Sequence, residues 1–138
     1  MTPKQIELVQ VTWAQLAPVA DAASKLFYRR LFTLDPSLKA LFRGDMDAQG
    51  RKLMAMISFA VKGLNRVDAL LPGLQALGQR HAGYGVRDEH YATVGEALLG
   101  TLREGLGEAF TGEVEQAWVS AYALLAAGVK PAPIKQAA

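Results

Sequence analysis

Apolar residues return every three or four positions from one end of this chain to the other, and no run alternates with period two. Such spacing lines up one face of a helix, whereas a strand needs alternation, so the chain is expected to be all-α. The first helix opens with Thr2 as N-cap, Pro3 in the first helical position and Gln5 closing a capping box, with Ile6, Val9, Trp13 and Leu16 as its buried stripe. A second is predicted from about Val19 to Leu34, and Asp35-Pro36 starts a short third that ends around Leu41-Phe42. A polar turn, Arg43 to Asp47, leads into a long helix marked by Leu53, Met56, Ile57, Ala60, Val61 and Leu64. It is interrupted near Asn65-Arg66-Val67-Asp68. A shorter helix carries Leu70, Leu74 and Leu77, with Pro72 in its first turn and Gly83 and Gly85 as its stop. Asp88 is expected to cap the next, with Leu98, Leu99, Leu102 and Leu106 inside. Thr111 caps the last, striped by Val114, Trp118, Ala121 and Leu125. Residues 130–138 hold two prolines and almost no pattern, and are expected to fray.

With 138 residues, 51% of them hydrophobic, the chain is expected to form one domain, 1–138, around a continuous core. Its net charge is +2 and its basic residues are scattered, which argues against nucleic acid as a partner. It has no cysteine, so disulfides, thiolate metal sites, iron–sulfur ligation and cysteine nucleophiles are excluded. The amino terminus reaches Glu7 before any apolar stretch long enough for a signal peptide. Charge-free runs such as Leu53 to Val61 are too short to span a bilayer. A cytoplasmic protein with no membrane span is expected.

Two histidines are present. Helical spacing from Leu70 through Leu74 and Leu77 reaches His81, whose imidazole therefore points inward. It is either a satisfied core residue or a ligand. His90 lies among Arg87, Asp88 and Glu89 and is expected to be solvated. One histidine cannot build a closed zinc site, but it can hold haem iron, because the porphyrin supplies the four equatorial nitrogens. Tyr28, with Leu31 and Phe32 one turn on, faces the interior with a hydroxyl that needs a partner, unless its tip reaches the surface. Gln49 shares a face with Leu53, although a glutamine near a helix start can equally be solvated. Met46, Met54 and Met56 fit core filling. No serine–histidine or paired-carboxylate spacing is recognisable, and Gly100 to Gly107 lacks the lysine of a phosphate loop.

Together these residues resemble the globin family, specifically bacterial haemoglobins related to the haem domain of flavohaemoglobins. Leu26-Phe27-Tyr28-Arg29-Arg30-Leu31-Phe32 and Asp35 through Phe42 resemble that family's second and third helices. Arg80-His81, ahead of Tyr84 and Gly85, is similar to the proximal ligand segment. Tyr91 through Leu99 resembles the helix that follows, and Ala117-Trp118 with Ala121-Tyr122 fits the last.

The resemblance implies a globin fold of seven to eight helices around one haem b, iron protoporphyrin IX, with His81 as the iron ligand. Tyr28 and Gln49 become the distal polar pair, and Phe42, Leu53, Arg80, His81 and Tyr91 the cofactor contacts. Oxygen, nitric oxide and carbon monoxide are the implied ligands. The expected activity is oxygen binding in nitric oxide detoxification, giving nitrate. Flavohaemoglobins continue into flavin- and nicotinamide-binding domains, so electrons here are expected from an external reductase. A family glutamate that completes the proximal set would fall near Pro131, and no acid follows Glu115 in this sequence. Reversible oxygen storage is the rival reading. A sensor would need a partner domain, and without haem the chain would be a helical interaction module.

Overall fold

The structure, a computed structural model, describes residues 1–83 and 87–129. Among these lie six α-helices: α1 (Pro3–Leu16), α2 (Ala20–Leu34), α3 (Met46–Lys62), α4 (Val67–Gly83), α5 (Asp88–Leu106) and α6 (Gly112–Val129). Short 3-10 segments join several of them. Seven helices are reached only by counting the six-residue 3-10 helix Pro36–Leu41. The expected stop at Gly85 and the fraying of 130–138 lie outside the described residues.

Local chemistry sets most of the helix starts. The Gln5 amide donates to Thr2 Oγ1 and the Thr2 amide to Gln5 Oε1, both at 3.1 Å, which completes the capping box. Asp35 Oδ1 accepts from the Ser37 amide at 3.1 Å and from the Ser37 hydroxyl at 2.6 Å. Gly44, with φ of 97°, makes the turn that a side chain would strain, and Asp45 caps α3 through the Asp47 amide. Thr111 Oγ1 accepts from the Val114 amide at the start of α6.

Two boundaries differ from expectation. Pro72 lies in the second turn of α4, because the 3-10 segment Gly63–Arg66 feeds directly into the helix at Val67. Its missing N–H removes one bond near the helix start and the helix continues. At α5 the N-cap position belongs to Arg87 and Asp88 is the first helical residue. There the Arg87 amide donates to His90 Nδ1, so histidine at the third helical position reaches back to the N-cap amide.

Packing of α2 on α5 and of α1 and α4 on α6, with α3 beside α2, encloses two apolar clusters. The larger contains Val9, Leu16, Phe27, Leu31, Leu102 and Trp118. Its two indoles are both satisfied: Trp118 Nε1 donates to Thr12 Oγ1 and Trp13 Nε1 to Ser58 Oγ, each at 2.9 Å. The smaller joins Leu70, Leu74, Tyr91, Ala126 and Val129. Gly78 allows this second packing, since a Cβ there would fall 1.7 Å from the Val129 carbonyl oxygen. No helix among the described residues is long and apolar enough to cross a membrane.

Candidate functional site

Between the two clusters lies a cavity of about 740 Å³, walled by α2, α3, α4, α5, α6 and the 3-10 helix. The volume falls within the range of small-molecule and cofactor pockets, and the walls are predominantly apolar. Leu53, Met56, Ile57 and Phe42 form much of one side, while Leu74, Leu77, Tyr91 and Val94 form another. On α3, Gln49, Lys52, Leu53 and Met56 all reach the cavity, which is the stripe that helical spacing selects.

His81 lines the cavity from the last turns of α4. Its Nδ1 is buried with no hydrogen-bond partner among the described residues. Burial, assisted by the Arg80 charge, holds the imidazole below its ordinary pKa and so keeps it neutral. The Tyr91 ring stands 6.3 Å away, tilted by 49°. Tyr91 is steadied in turn by Tyr122, whose hydroxyl donates to the Tyr91 carbonyl at 2.5 Å. Burial raises the Tyr122 phenol far above its usual range, so it remains a donor. Gly95 makes room for this ring, because a Cβ there would lie 2.8 Å from Tyr122.

Tyr28 is 7% exposed and sits behind the cavity wall, packed on Phe27, Phe32 and Phe42. Burial raises its phenol pKa, and a side-chain hydrogen bond with Gln49 opposes the rise. Gln49 therefore connects the buried phenol to the cavity it lines. Arg80 is exposed and is not part of the wall. Its described influence is electrostatic, through His81.

His90 departs from expectation. It is 6% exposed and lines the cavity instead of facing solvent. An acidic and basic neighbourhood in sequence suggested a solvated turn, but Nδ1 folds back onto the Arg87 amide at 2.9 Å and buries the ring. Arg43 and Lys52, not singled out from sequence, also reach the cavity while remaining exposed. The i, i+3 spacing from Gln49 carried the signal for Lys52; Arg43 precedes the helix and had none.

The residues present fit a haem. The cavity is large and apolar, and His81, whose Nδ1 has no partner among the described residues, borders it. No group of three or more His, Asp or Glu that could hold a bare metal ion occurs among the described residues.

The globin family model matches residues 25–129. The chain belongs to the globin family. This globin is 33% identical to a flavohemoprotein of Vibrio cholerae over 129 residues, which cover 91% of this chain and 33% of that protein. It therefore spans about a third of the length of the curated flavohemoproteins it matches. It is 30% identical to neuroglobin-1 of Oncorhynchus mykiss, covering 94% of this globin and 90% of that one. Among solved structures it is similar to an engineered carbene transferase from Rhodothermus marinus, a protein assigned as a nitric oxide dioxygenase. The TM-score is 0.84 at 28% identity, with 94% and 91% of the two chains covered.

Proposed function

We propose that this globin holds one haem b through His81 and binds oxygen in nitric oxide detoxification, with a separate reductase returning the electron that each turnover consumes. Nitric oxide, oxygen and one electron then balance to one nitrate. The observation that carries this reading is the apolar cavity that brings together His81, its Nδ1 buried without a partner among the described residues, and Gln49, which neighbours the buried Tyr28 phenol.

Haem supplies the binding place for a diatomic gas and the one-electron chemistry that nitric oxide oxidation needs. The chain's own residues supply the rest. His81 offers a neutral nitrogen. Phe42, Leu53, Met56 and Ile57 exclude water, which strengthens any polar contact made inside the cavity. Gln49 and Tyr28 provide donors for an acceptor that carries partial negative charge, as oxygen does far more than carbon monoxide. The similarity to flavohemoproteins and to a protein assigned as a nitric oxide dioxygenase supports the same activity. A cytoplasmic setting and the external reductase belong to this proposal.

Gas release tests the reading. A hydrogen bond to a partly charged acceptor is worth roughly 1.5–3 kcal/mol. Tyr28→Phe should therefore speed oxygen dissociation by about 10- to 150-fold, at ~1.4 kcal/mol per factor of ten. Carbon monoxide release should change little. Equal changes for both gases, or an unchanged oxygen rate, would remove Tyr28 from the site's chemistry. Mixing oxygen-equilibrated protein with nitric oxide should give one stoichiometric burst of nitrate, sustained only when a reductase is added. No nitrate at all would leave oxygen storage.

A further inference from the structure

A tight contact between α2 and α3 sits beside the polar pair. A Cβ on Gly50 would lie 2.7 Å from Ser24 Oγ and 3.1 Å from Ser24 Cβ, and both residues are buried. The serine hydroxyl donates to the Asp21 carbonyl at 2.9 Å, so its rotamer is held. Gly50 follows Gln49 directly in α3. Ser24 precedes Tyr28 by four residues, one turn earlier on the same face of α2. After proline, glycine is the poorest helix former, so its place in the second turn of α3 needs a compensating reason. Close approach to Ser24 provides one.

We infer that Gly50 and Ser24 are positioning residues: their contact sets how near Gln49 stands to Tyr28 and thereby sets the site's preference for oxygen over carbon monoxide. This rests on the reading of Tyr28 and Gln49 given above. A methyl group on Gly50 cannot be accommodated by rotating a distant side-chain end, because Ser24 Cβ itself lies within 3.1 Å. The helices must separate by a few tenths of an ångström or more. Neither Gly50 nor Ser24 lines the cavity. Gln49, next to Gly50 in the chain, is the cavity-lining side chain through which such a shift reaches the polar pair.

The test compares oxygen and carbon monoxide dissociation in haem-loaded Gly50→Ala, Ser24→Thr and the double variant Ser24→Gly/Gly50→Ala, together with thermal midpoints and the carbon monoxide stretching band. Gly50→Ala should speed oxygen release about 3- to 30-fold, since small misplacements of a polar group can cost up to about a hundredfold. Carbon monoxide release should change much less, and its band should shift as the donors withdraw. Ser24→Thr adds bulk from the opposite side and should move the same readings in the same direction, which covers the case in which Gly50→Ala fails to fold. The double variant, which moves the missing side chain from one helix to the other, should return the gas ratio toward its original value even if the thermal midpoint remains low. A purely structural role predicts the reverse: both gases altered alike, or ratios that follow the thermal midpoint without rescue. Unchanged oxygen release in Gly50→Ala and Ser24→Thr, alongside a large effect of Tyr28→Phe, overturns the inference. No effect of Tyr28→Phe overturns the distal reading instead.

Discussion

His81 and His90 border one cavity, yet their ring nitrogens are committed differently. His90 uses the Nδ1 lone pair to accept the Arg87 amide at 2.9 Å, and its own amide donates to the Arg87 carbonyl at 3.0 Å. That Nδ1 lone pair is thereby committed to the backbone. His81 makes no such local bond, its Nδ1 has no partner among the described residues, and burial keeps it neutral. Burial therefore does not separate His81, the proposed ligand, from His90. What separates them is whether the backbone has already claimed the lone pair.

Replacing each imidazole gives the largest test of that contrast. His81→Ala should weaken haem retention by more than about a hundredfold, because loss of groups that merely support a ligand costs 10- to 100-fold. His90→Ala should keep the haem spectrum. Titration of the apoprotein with haemin, followed by transfer to a competing haem acceptor, measures both. Similar losses would mean that the committed lone pair at His90 is not the deciding feature.

A smaller effect examines the other half of the comparison. If His90 acts as a cap, His90→Ala leaves the Arg87 amide without its partner and should cost about 1 kcal/mol of folding stability. His90→Gln should recover most of it, since glutamine at the third helical position reaches back to the same amide in a capping box. Urea unfolding of the haem-free protein reads this without involving the cofactor. A glutamine variant no more stable than alanine would make packing, not capping, the reason His90 is buried.

Sequence spacing was enough for the elements and for the inward direction of His81, because a repeat of three to four residues encodes which face is buried. Leu70, Leu74 and Leu77 carry that information for α4. It was insufficient at His90, where the deciding interaction is a hydrogen bond to a backbone amide three residues earlier, a property of the turn that polar neighbours obscure. Nor could periodicity give the depth of Tyr28, which lies behind the wall and reaches the cavity through Gln49. The Ser24–Gly50 contact joins residues far apart in sequence, and a single glycine in a helical pattern does not name its neighbour.

The smallest expected effect concerns Asp35, the charged neighbour that distinguishes the two histidines electrostatically. Its carboxyl is held below the usual range first by the Ser37 hydrogen bond, with weaker help from the positive potential of His90 and Arg87. Because the folded pKa is depressed, the associated stability is present above the unfolded value of about 3.9 and is lost as pH falls through the lower folded value. The stability difference between the wild-type protein and Asp35→Asn should accordingly be steady near neutrality and close only in that acid window. Ser37→Ala should raise the Asp35 midpoint most, His90→Gln by less, and His81→Ala not at all. Following the Asp35 carboxyl by nuclear magnetic resonance through the acid range gives all three midpoints. A shift in His81→Ala matching that in His90→Gln would show that the two imidazoles share one electrostatic environment, and the local backbone bond would then cease to distinguish them.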